Sequence, residues 1–180
     1  MIVYRELEAI IIDHCRNGFN VLEIGGEPGG YLKQLNHINL IRTNIRCIKG
    51  LDCVADGQKL PFKSSQFDMV FMVAVDYYVP SVELCFSEVH RVLKPNGYFI
   101  NATYKEENLK KQIKLDPYAL RALSVKDHLR IYREMGFDSS LKKIANNSPT
   151  LFLKRLVWKC LPRFVRVGLS SWSVFVSQKL

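Results

Sequence analysis

The chain has 180 residues, 48% of them hydrophobic and 24% charged, and its 26 lysines and arginines against 17 acidic residues give a formal net charge of +9. This composition predicts a globular domain with a substantial core and excludes an intrinsically disordered chain. No apolar run approaches the roughly 20 residues of a membrane span, and charged residues interrupt the apolar start, so we expect no signal peptide.

The cysteines and histidines bear on the cellular compartment and on metal binding. Five cysteines occur without a Cys-x-x-Cys pair, and four dispersed histidines show no metal-binding spacing. The cysteines therefore read as small buried hydrophobic residues of a protein in a reducing compartment, and we expect a cytoplasmic location and no metal site.

The positive charge is unevenly distributed along the chain. Residues 1–100 carry 10 basic and 11 acidic side chains, a balance of −1, whereas residues 101–180 carry 16 and 6, a balance of +10. No acidic residue follows Asp138. The excess charge therefore belongs to the second part of the chain alone.

The predicted elements begin with a helix over Leu7–Cys15, which ends at Asn17-Gly18. The short apolar run Phe19–Ile24 predicts a buried strand, which leads into the glycine cluster Gly25–Gly30. A helical stretch follows at Tyr31–His37. Strand, glycine loop and helix in this order are typical of the opening of a βαβ unit.

Further strands are predicted within Ile38–Ile48, at Leu51–Ala55 and at Phe67–Val75. The last of these is apolar on both faces, as central parallel strands are. Val82–Leu93 has the clearest helical spacing of apolar residues, and Ser81 can cap its start.

After this helix, residues 94–97 predict a turn, and Tyr98–Ile100 begin the next strand. A second helix, with a capping box at its start and a glycine after its end, spans Val125–Met135. Strands are predicted near Leu141–Ala145 and at Trp172–Val176. The alternation of helices and strands predicts a single α/β domain over residues 1–180 with a mostly parallel sheet.

In an open sheet of this kind, a ligand binds at the carboxyl ends of the strands. These ends are the loop Glu23–Gly30, the region of Asn44, the turn Asp56-Gly57 and the stretch after Val73. Glu27 stands where a dinucleotide fingerprint requires glycine, and no P-loop occurs. The acidic residues of the first loop favour a cofactor with a cationic centre.

Two stretches carry a family resemblance. Val21–Gly25, together with Gly29, resembles the first motif of class I S-adenosylmethionine-dependent methyltransferases. The 47 residues Val54–Ile100 resemble the type-11 methyltransferase family, which includes quinone-biosynthesis methylases. The matching features are Asp56, Leu60-Pro61-Phe62, Phe67-Asp68, Glu88, Arg91–Pro95 and Gly97.

The resemblance covers roughly residues 19–180 and implies a Rossmann-like class I methyltransferase fold. Such a fold has about seven mostly parallel strands, helices on both faces and an antiparallel last strand. The implied parts are an N-terminal helix within 1–18, a cofactor-binding half over 19–100 and a basic C-terminal half over 101–180.

The resemblance also implies S-adenosylmethionine as the cofactor and in-line transfer of its methyl group to a nucleophile. The strand-end acid and the glycine loop would approach the methionine part and the ribose, and the turn after the third strand would hold the adenine. The implied cofactor-binding residues are Glu23, Gly25, Gly26, Glu27, Gly29, Asn44, Asp56, Gly57, Gln58 and Val73. Tyr77 and Tyr78 stand near the methyl group as candidate substrate contacts, and no catalytic residue is assigned.

Two positions depart from the family pattern. Glu27 replaces a glycine, and Asn44 takes the place of the acid that binds both ribose hydroxyls. An asparagine offers one such hydrogen bond without the charge, so we expect weaker cofactor binding. A binding module with a degenerate methyltransferase fold is the alternative to an enzyme.

Residues 151–167 combine apolar side chains with a basic stripe formed by Arg155, Lys159, Arg163 and Arg166. The stripe predicts an amphipathic insert lying on the fold, and peripheral membrane contact is a second interpretation. The absence of nucleobase-modifying motifs favours a small-molecule or lipid-like acceptor. The basic second half leaves an RNA methyltransferase, with nucleic acid as its partner, as the less favoured alternative.

Overall fold

The structure is a computed structural model that describes residues 2–28, 37–114, 116–144 and 172–180. Within these ranges the strands are β1 (Asn20–Ile24), β2 (Asn39–Asn44), β3 (Cys53–Val54), β4 (Phe67–Val73), β5 (Leu93–Tyr104), β6 (Phe137–Ile144) and β7 (Trp172–Lys179). The α-helices are α1 (Ile2–Asp13), α2 (Val82–Val92), α3 (Glu106–Ile113) and α4 (Val125–Glu134).

The strands form one seven-stranded sheet in the order β3-β2-β1-β4-β5-β7-β6. Strands β1 to β5 pair in parallel, whereas β7 runs antiparallel to both of its neighbours, β5 and β6. The predicted mostly parallel sheet with an antiparallel last strand is confirmed. Because the strand order reverses between β1 and β4, a topological switch point lies there.

Helices cover both faces of the sheet, as predicted. On one face, Phe86 of α2 and Tyr132 of α4 pack with Leu22, Val70 and Phe99 of the strands. On the other face, α1 packs against β1 and β4 with its buried residues Leu7 and Ile11. Each fully buried side chain of this size contributes roughly 1.5–3 kcal/mol to stability, so both layers hold the sheet rigid under its loops.

The two helices with the clearest sequence signals form where they were predicted. The hydroxyl of Ser81 accepts a hydrogen bond from the backbone N–H of Leu84 at the start of α2. At the start of α4, both bonds of the capping box between Ser124 and Asp127 are present. Gly136, with φ of +81°, follows α4 in the left-handed conformation that favours glycine.

Some predictions differ from the structure in detail. Residues 94–97, predicted as a turn, lie inside β5, where four residues stand opposite the single residue Asp68 of β4. α3 was not predicted, because it is short and polar and Leu109 is its one side chain described as buried. No helix in the described ranges is long and apolar enough to cross a membrane.

Three predictions fall on residues that the structure does not describe. They are the helical stretch at Tyr31–His37, of which residues 31–36 lie outside the described ranges, Gly29 of the glycine loop, and the amphipathic insert at 151–167. The roles of these segments, and the single domain over residues 1–180, stay predictions.

Candidate functional site

A cavity of about 880 Å³ opens at the carboxyl ends of the parallel strands, beside the switch point. Its wall combines the loop after β1, the end of β2, the turn after β3 and the end of β4. The predicted site residues that line it are Gly25, Glu27, Asn44, Asp56, Gly57, Val73, Tyr77 and Tyr78. Glu23, Gly26 and Gln58 do not line it. The topology therefore brings most of the predicted set to one cavity.

Gly25 is the tightest point of the wall. Its φ is +76°, and a Cβ added there would lie 2.3 Å from Cγ2 of Val75, well inside van der Waals contact. Both the backbone angle and the neighbour exclude a side chain. Gly25 and Val75 both line the cavity, so a side chain at Gly25 would displace its wall.

Glu23 lies directly beneath the loop, next to Gly26. A Cβ on Gly26 would sit 3.1 Å from Cδ of Glu23, whose side chain is only 2% exposed. Within the described part of the chain, its Oε2 has no hydrogen-bond partner. Burial raises the pKa of Glu23 from 4.5 to about 7, although the nearby Arg42 acts in the opposite direction.

This raised pKa predicts a pH-dependent stability. Because the unfolded chain loses the Glu23 proton near pH 4.5 and the folded chain only near pH 7, stability falls as the pH rises between these values. The full loss is about 3 kcal/mol, and the Glu23→Gln variant lacks it. Urea unfolding of both chains from pH 4.5 to 8 measures the difference in their free energies of unfolding. A difference that stays constant over this range would contradict the assignment.

Asn44 lines the cavity, and its side-chain amide forms two hydrogen bonds with backbone groups. Its Nδ2 donates to the carbonyl oxygen of Gly26 at 3.0 Å, and its Oδ1 accepts from the backbone N–H of Arg46 at 3.0 Å. The amide thus ties the loop after β1 to the end of β2. A contact with a ribose would use the second N–H of Nδ2 or the second lone pair of Oδ1.

Glu27 lies close to Asn44 on the cavity wall and belongs to the same loop as Gly25. Its Oε1 pairs with the guanidinium of Arg46 at 3.3 Å, and both side chains are largely exposed. A pair this exposed contributes little to stability. Glu27 therefore presents a carboxylate to the cavity at the position where the family carries glycine.

Asp56 is held in place by Gln58. Oδ1 of Asp56 accepts from the backbone N–H of Gln58 at 2.9 Å, and the side-chain amide of Gln58 donates to both carboxylate oxygens at 3.3 Å. Oε1 of Gln58 accepts from the backbone N–H of Ser81, ahead of α2. Gln58 thus braces Asp56 from outside the wall, while Asp56 itself lines the cavity.

The two tyrosines follow β4 in a short 3₁₀ turn, Asp76–Tyr78. Their ring centroids lie 4.4 Å apart; Tyr77 is buried, whereas Tyr78 is 39% exposed at the cavity mouth. The Tyr78 hydroxyl donates to Oδ2 of Asp116 at 2.6 Å. Burial and this hydrogen bond raise the pKa of Tyr78 to about 12. Asp116 also lines the cavity, and the sequence analysis missed it.

A buried ion pair supports the turn from below. Oδ2 of Asp76 lies 2.7 Å from Nε2 of His128, and Oδ1 accepts from the hydroxyl of Thr103 at 2.8 Å and from the backbone N–H of Tyr77 at 3.1 Å. Nδ1 of His128 faces the carbonyl oxygen of Ser124 at 3.0 Å. Nδ1 donates to this carbonyl oxygen, and Nε2 and the Asp76 carboxyl group share a proton in a hydrogen bond that is almost fully buried.

The sequence analysis missed this pair as well. The available signals were an acid directly after the central strand and a histidine on the apolar face of α4.

The mouth of the cavity carries large hydrophobic side chains, which we name the apolar rim: Ile45, Tyr118 and Leu120. Their exposed fractions are 67%, 77% and 52%, and all three line the cavity. Single exposed apolar residues are ordinary, but three around one opening form a surface suited to an apolar ligand.

The sheet order and the cavity at its switch point define a class I methyltransferase fold. A SAM-dependent methyltransferase from Archaeoglobus fulgidus has a similar structure, with a TM-score of 0.74 at 14% identity, covering 98% of this chain and 94% of the other. Residues 22–101 match the family model described as a methyltransferase domain. Over this stretch the chain is similar to S-adenosylmethionine-dependent methyltransferases of the type-11 family.

Two relatives extend the similarity over most of the chain. Phthiotriol/phenolphthiotriol dimycocerosates methyltransferase 1 from Mycobacterium ulcerans is 28% identical, over 91% of this chain and 69% of the relative. The phthiotriol/phenolphthiotriol dimycocerosates methyltransferase from Mycobacterium tuberculosis is 34% identical, over 83% of this chain and 58% of the relative. The match thus spans only part of the length of these relatives.

Proposed function

We propose that the chain transfers a methyl group from S-adenosylmethionine to a lipid-like, amphipathic acceptor. The observation that carries the proposal is a single cavity with carboxylates on its inner wall and the apolar rim at its mouth. The inner wall suits a polar, cationic cofactor, and the rim suits an acceptor with an apolar body.

Two features of the cavity fit the cofactor. Beside the cavity, beneath Gly26, the buried carboxyl group of Glu23 has an oxygen without a partner in the described chain, which favours a cationic amino group of a methionine in the cavity next to it. Gly25 lines the cavity without a side chain, so its backbone can lie close to a ligand. We assign the adenine to Asp56 with Gly57, as the family resemblance implies. When bound, the cofactor supplies an electrophilic methyl group on a sulfonium centre.

For the ribose hydroxyls we propose Glu27 in place of Asn44. The Asn44 amide is engaged by two backbone groups, whereas the ion pair of Glu27 uses only Oε1. Oε2 of Glu27 therefore remains for a ligand, within the part of the chain that the structure describes. Glu27, in the loop after β1, would then bind the ribose hydroxyls. The family resemblance gives this role to an acid at the end of the second strand.

This assignment predicts a selective loss of affinity. Glu27→Gln should weaken binding of S-adenosylhomocysteine about 10-fold, because a hydrogen bond to a charged acceptor contributes about 1.5–3 kcal/mol. Binding of the 2′,3′-dideoxy analogue should not change. Isothermal titration measures both affinities, with Glu134→Gln, an exposed residue of α4, as the matched control. Equal losses of affinity for the two ligands would mean that Glu27 does not bind the ribose hydroxyls.

The acceptor class rests on the rim and on the relatives. The names of both mycobacterial relatives specify dimycocerosates as their substrates. The exposed side chains of the rim support an acceptor of similar amphipathic character. A small polar acceptor would leave Ile45 and Tyr118 in water.

The test has two measurements. Calorimetry should detect binding of S-adenosylmethionine and S-adenosylhomocysteine, and a labelled-methyl assay should detect transfer to an alkyl amphiphile in detergent micelles. Binding without transfer to any acceptor would favour the binding module, and binding of neither ligand would overturn the proposal.

A further inference from the structure

Tyr78 and Asp116 form a hydrogen-bonded dyad at the mouth of the cavity. Both side chains line it, although 38 residues separate them in sequence. The second carboxylate oxygen of Asp116 accepts from the backbone N–H of Tyr118 at 3.0 Å, which fixes the orientation of the carboxylate. The phenol thus points at Asp116 through its proton, and its oxygen, which also accepts from the Tyr77 hydroxyl, has one further lone pair for a ligand in the cavity.

Three other carboxylates at or near the cavity have side-chain partners. Glu27 pairs with Arg46, Asp56 accepts from Gln58, and Asp76 pairs with His128. Asp116 forms no ion pair with a lysine or arginine in the described ranges. Of these carboxylates, Asp116 is the one that accepts a hydrogen bond from a phenol of the cavity lining.

We propose that the Tyr78–Asp116 dyad removes the proton of the acceptor, and that the acceptor atom is therefore a hydroxyl oxygen. This inference rests on the proposed function and names the substrate group of the same site. An amine that is already unprotonated would need no such base, whereas an alcohol is a poor nucleophile until its proton leaves.

The step balances in atoms and charge. The acceptor oxygen attacks the methyl carbon, a C–O bond forms, and the S–C bond breaks with its electron pair going to sulfur. The hydroxyl proton passes to Oη of Tyr78 while the phenolic proton of Tyr78 passes to Oδ2 of Asp116. The positive sulfonium and the negative carboxylate both become neutral, so no new charge is created in the cavity.

The raised pKa of Tyr78 agrees with this relay. At about 12, it keeps the phenol protonated before the step, so the proton ends on Asp116 and no phenolate accumulates. Tyr78 is thus the group that touches the acceptor, and Asp116 acts through it.

The experiment compares three acceptors of increasing acidity: dodecanol, a dodecylphenol and a nitro-substituted dodecylphenol. Tyr78→Phe and Asp116→Asn should lower kcat for dodecanol by roughly 100-fold or more, since general-base catalysis contributes at least this much. The deficit should shrink along the series and nearly vanish for the nitrophenol, which ionises without help. Affinity for S-adenosylhomocysteine should not change in either variant.

The matched controls are Tyr98→Phe, which lies on the α1 side of the sheet, and Asp138→Asn, which is exposed on β6. Both should behave as the unmodified chain. Equal deficits for all three acceptors would indicate a merely structural role and overturn the proposal. Transfer to dodecylamine without transfer to any hydroxyl would overturn the role proposed for the dyad but not the proposed function. If the unmodified chain neither binds the cofactor nor transfers a methyl group to any acceptor, the proposed function is overturned.

Discussion

Gly25→Ala is expected to abolish measurable binding of S-adenosylhomocysteine and to destabilise the fold by about 2–5 kcal/mol. A left-handed backbone at a non-glycine residue costs roughly 1–2 kcal/mol, and overpacking against a fixed neighbour adds roughly 1–3 kcal/mol. The new Cβ would meet Val75 at 2.3 Å, so either the loop or the end of β4 must move. Both form the cavity wall, and the cofactor site moves with them.

Gly18→Ala provides the matched control. Gly18 has φ of +80°, close to that of Gly25, but a Cβ there would meet nothing within 4 Å. This variant should lose only the backbone term, roughly 1–2 kcal/mol, and bind the ligand normally. Urea unfolding of both variants measures the loss of stability, and calorimetry measures the loss of ligand binding. Together they separate backbone strain from the clash with Val75. Equal behaviour of the two variants would mean that Val75 does not limit the wall.

Asp76→Asn is expected to destabilise the fold by about 3–5 kcal/mol, because it breaks a buried pair and leaves Nε2 of His128 without the carboxyl group that it faces. The pair is almost fully buried, and Asp76 also holds Tyr77 and Thr103. The free energy of unfolding in urea measures the loss.

The exposed pair of Arg130 and Glu134 on α4 is the control for this prediction. Glu134→Gln should change stability by no more than about 1 kcal/mol. In addition, His128→Gln should add little to the loss in the Asp76→Asn background, since the two residues act as a unit. Additive losses from the two substitutions would contradict the ion pair.

Much of the fold follows from the sequence because apolar periodicity and caps are local. β4 is a nearly continuous apolar run, which is typical of a strand buried on both faces. The apolar residues of α2 recur with the spacing of a helix that is buried on one face, and Ser81 stands at its N-cap. The parallel order of the strands then brings their carboxyl ends together, which is why most predicted site residues share one cavity.

The remaining features depend on contacts between distant parts of the chain. Asp76 and His128 are 52 residues apart, and nothing local distinguishes them from exposed polar residues. The bonds of the Asn44 amide to backbone groups of Gly26 and Arg46 depend on the fold as well, and its contact with a ribose stays a prediction. Asp116 lies in a segment with no periodic pattern, and only the fold brings it to Tyr78.

The position of β7 in the sheet has a consequence for biosynthesis. β7 lies between β5 and β6, although it follows both in the chain. Until the ribosome has made residues 172–179, β5 lacks one of its neighbours and β6 lacks the strand it pairs with. The nascent chain can assemble the parallel strands early, but it must keep two open strand edges from pairing with other chains until β7 emerges. Completion of the sheet is therefore a late event, and demand for chaperones should be greatest while residues 145–171 are being added.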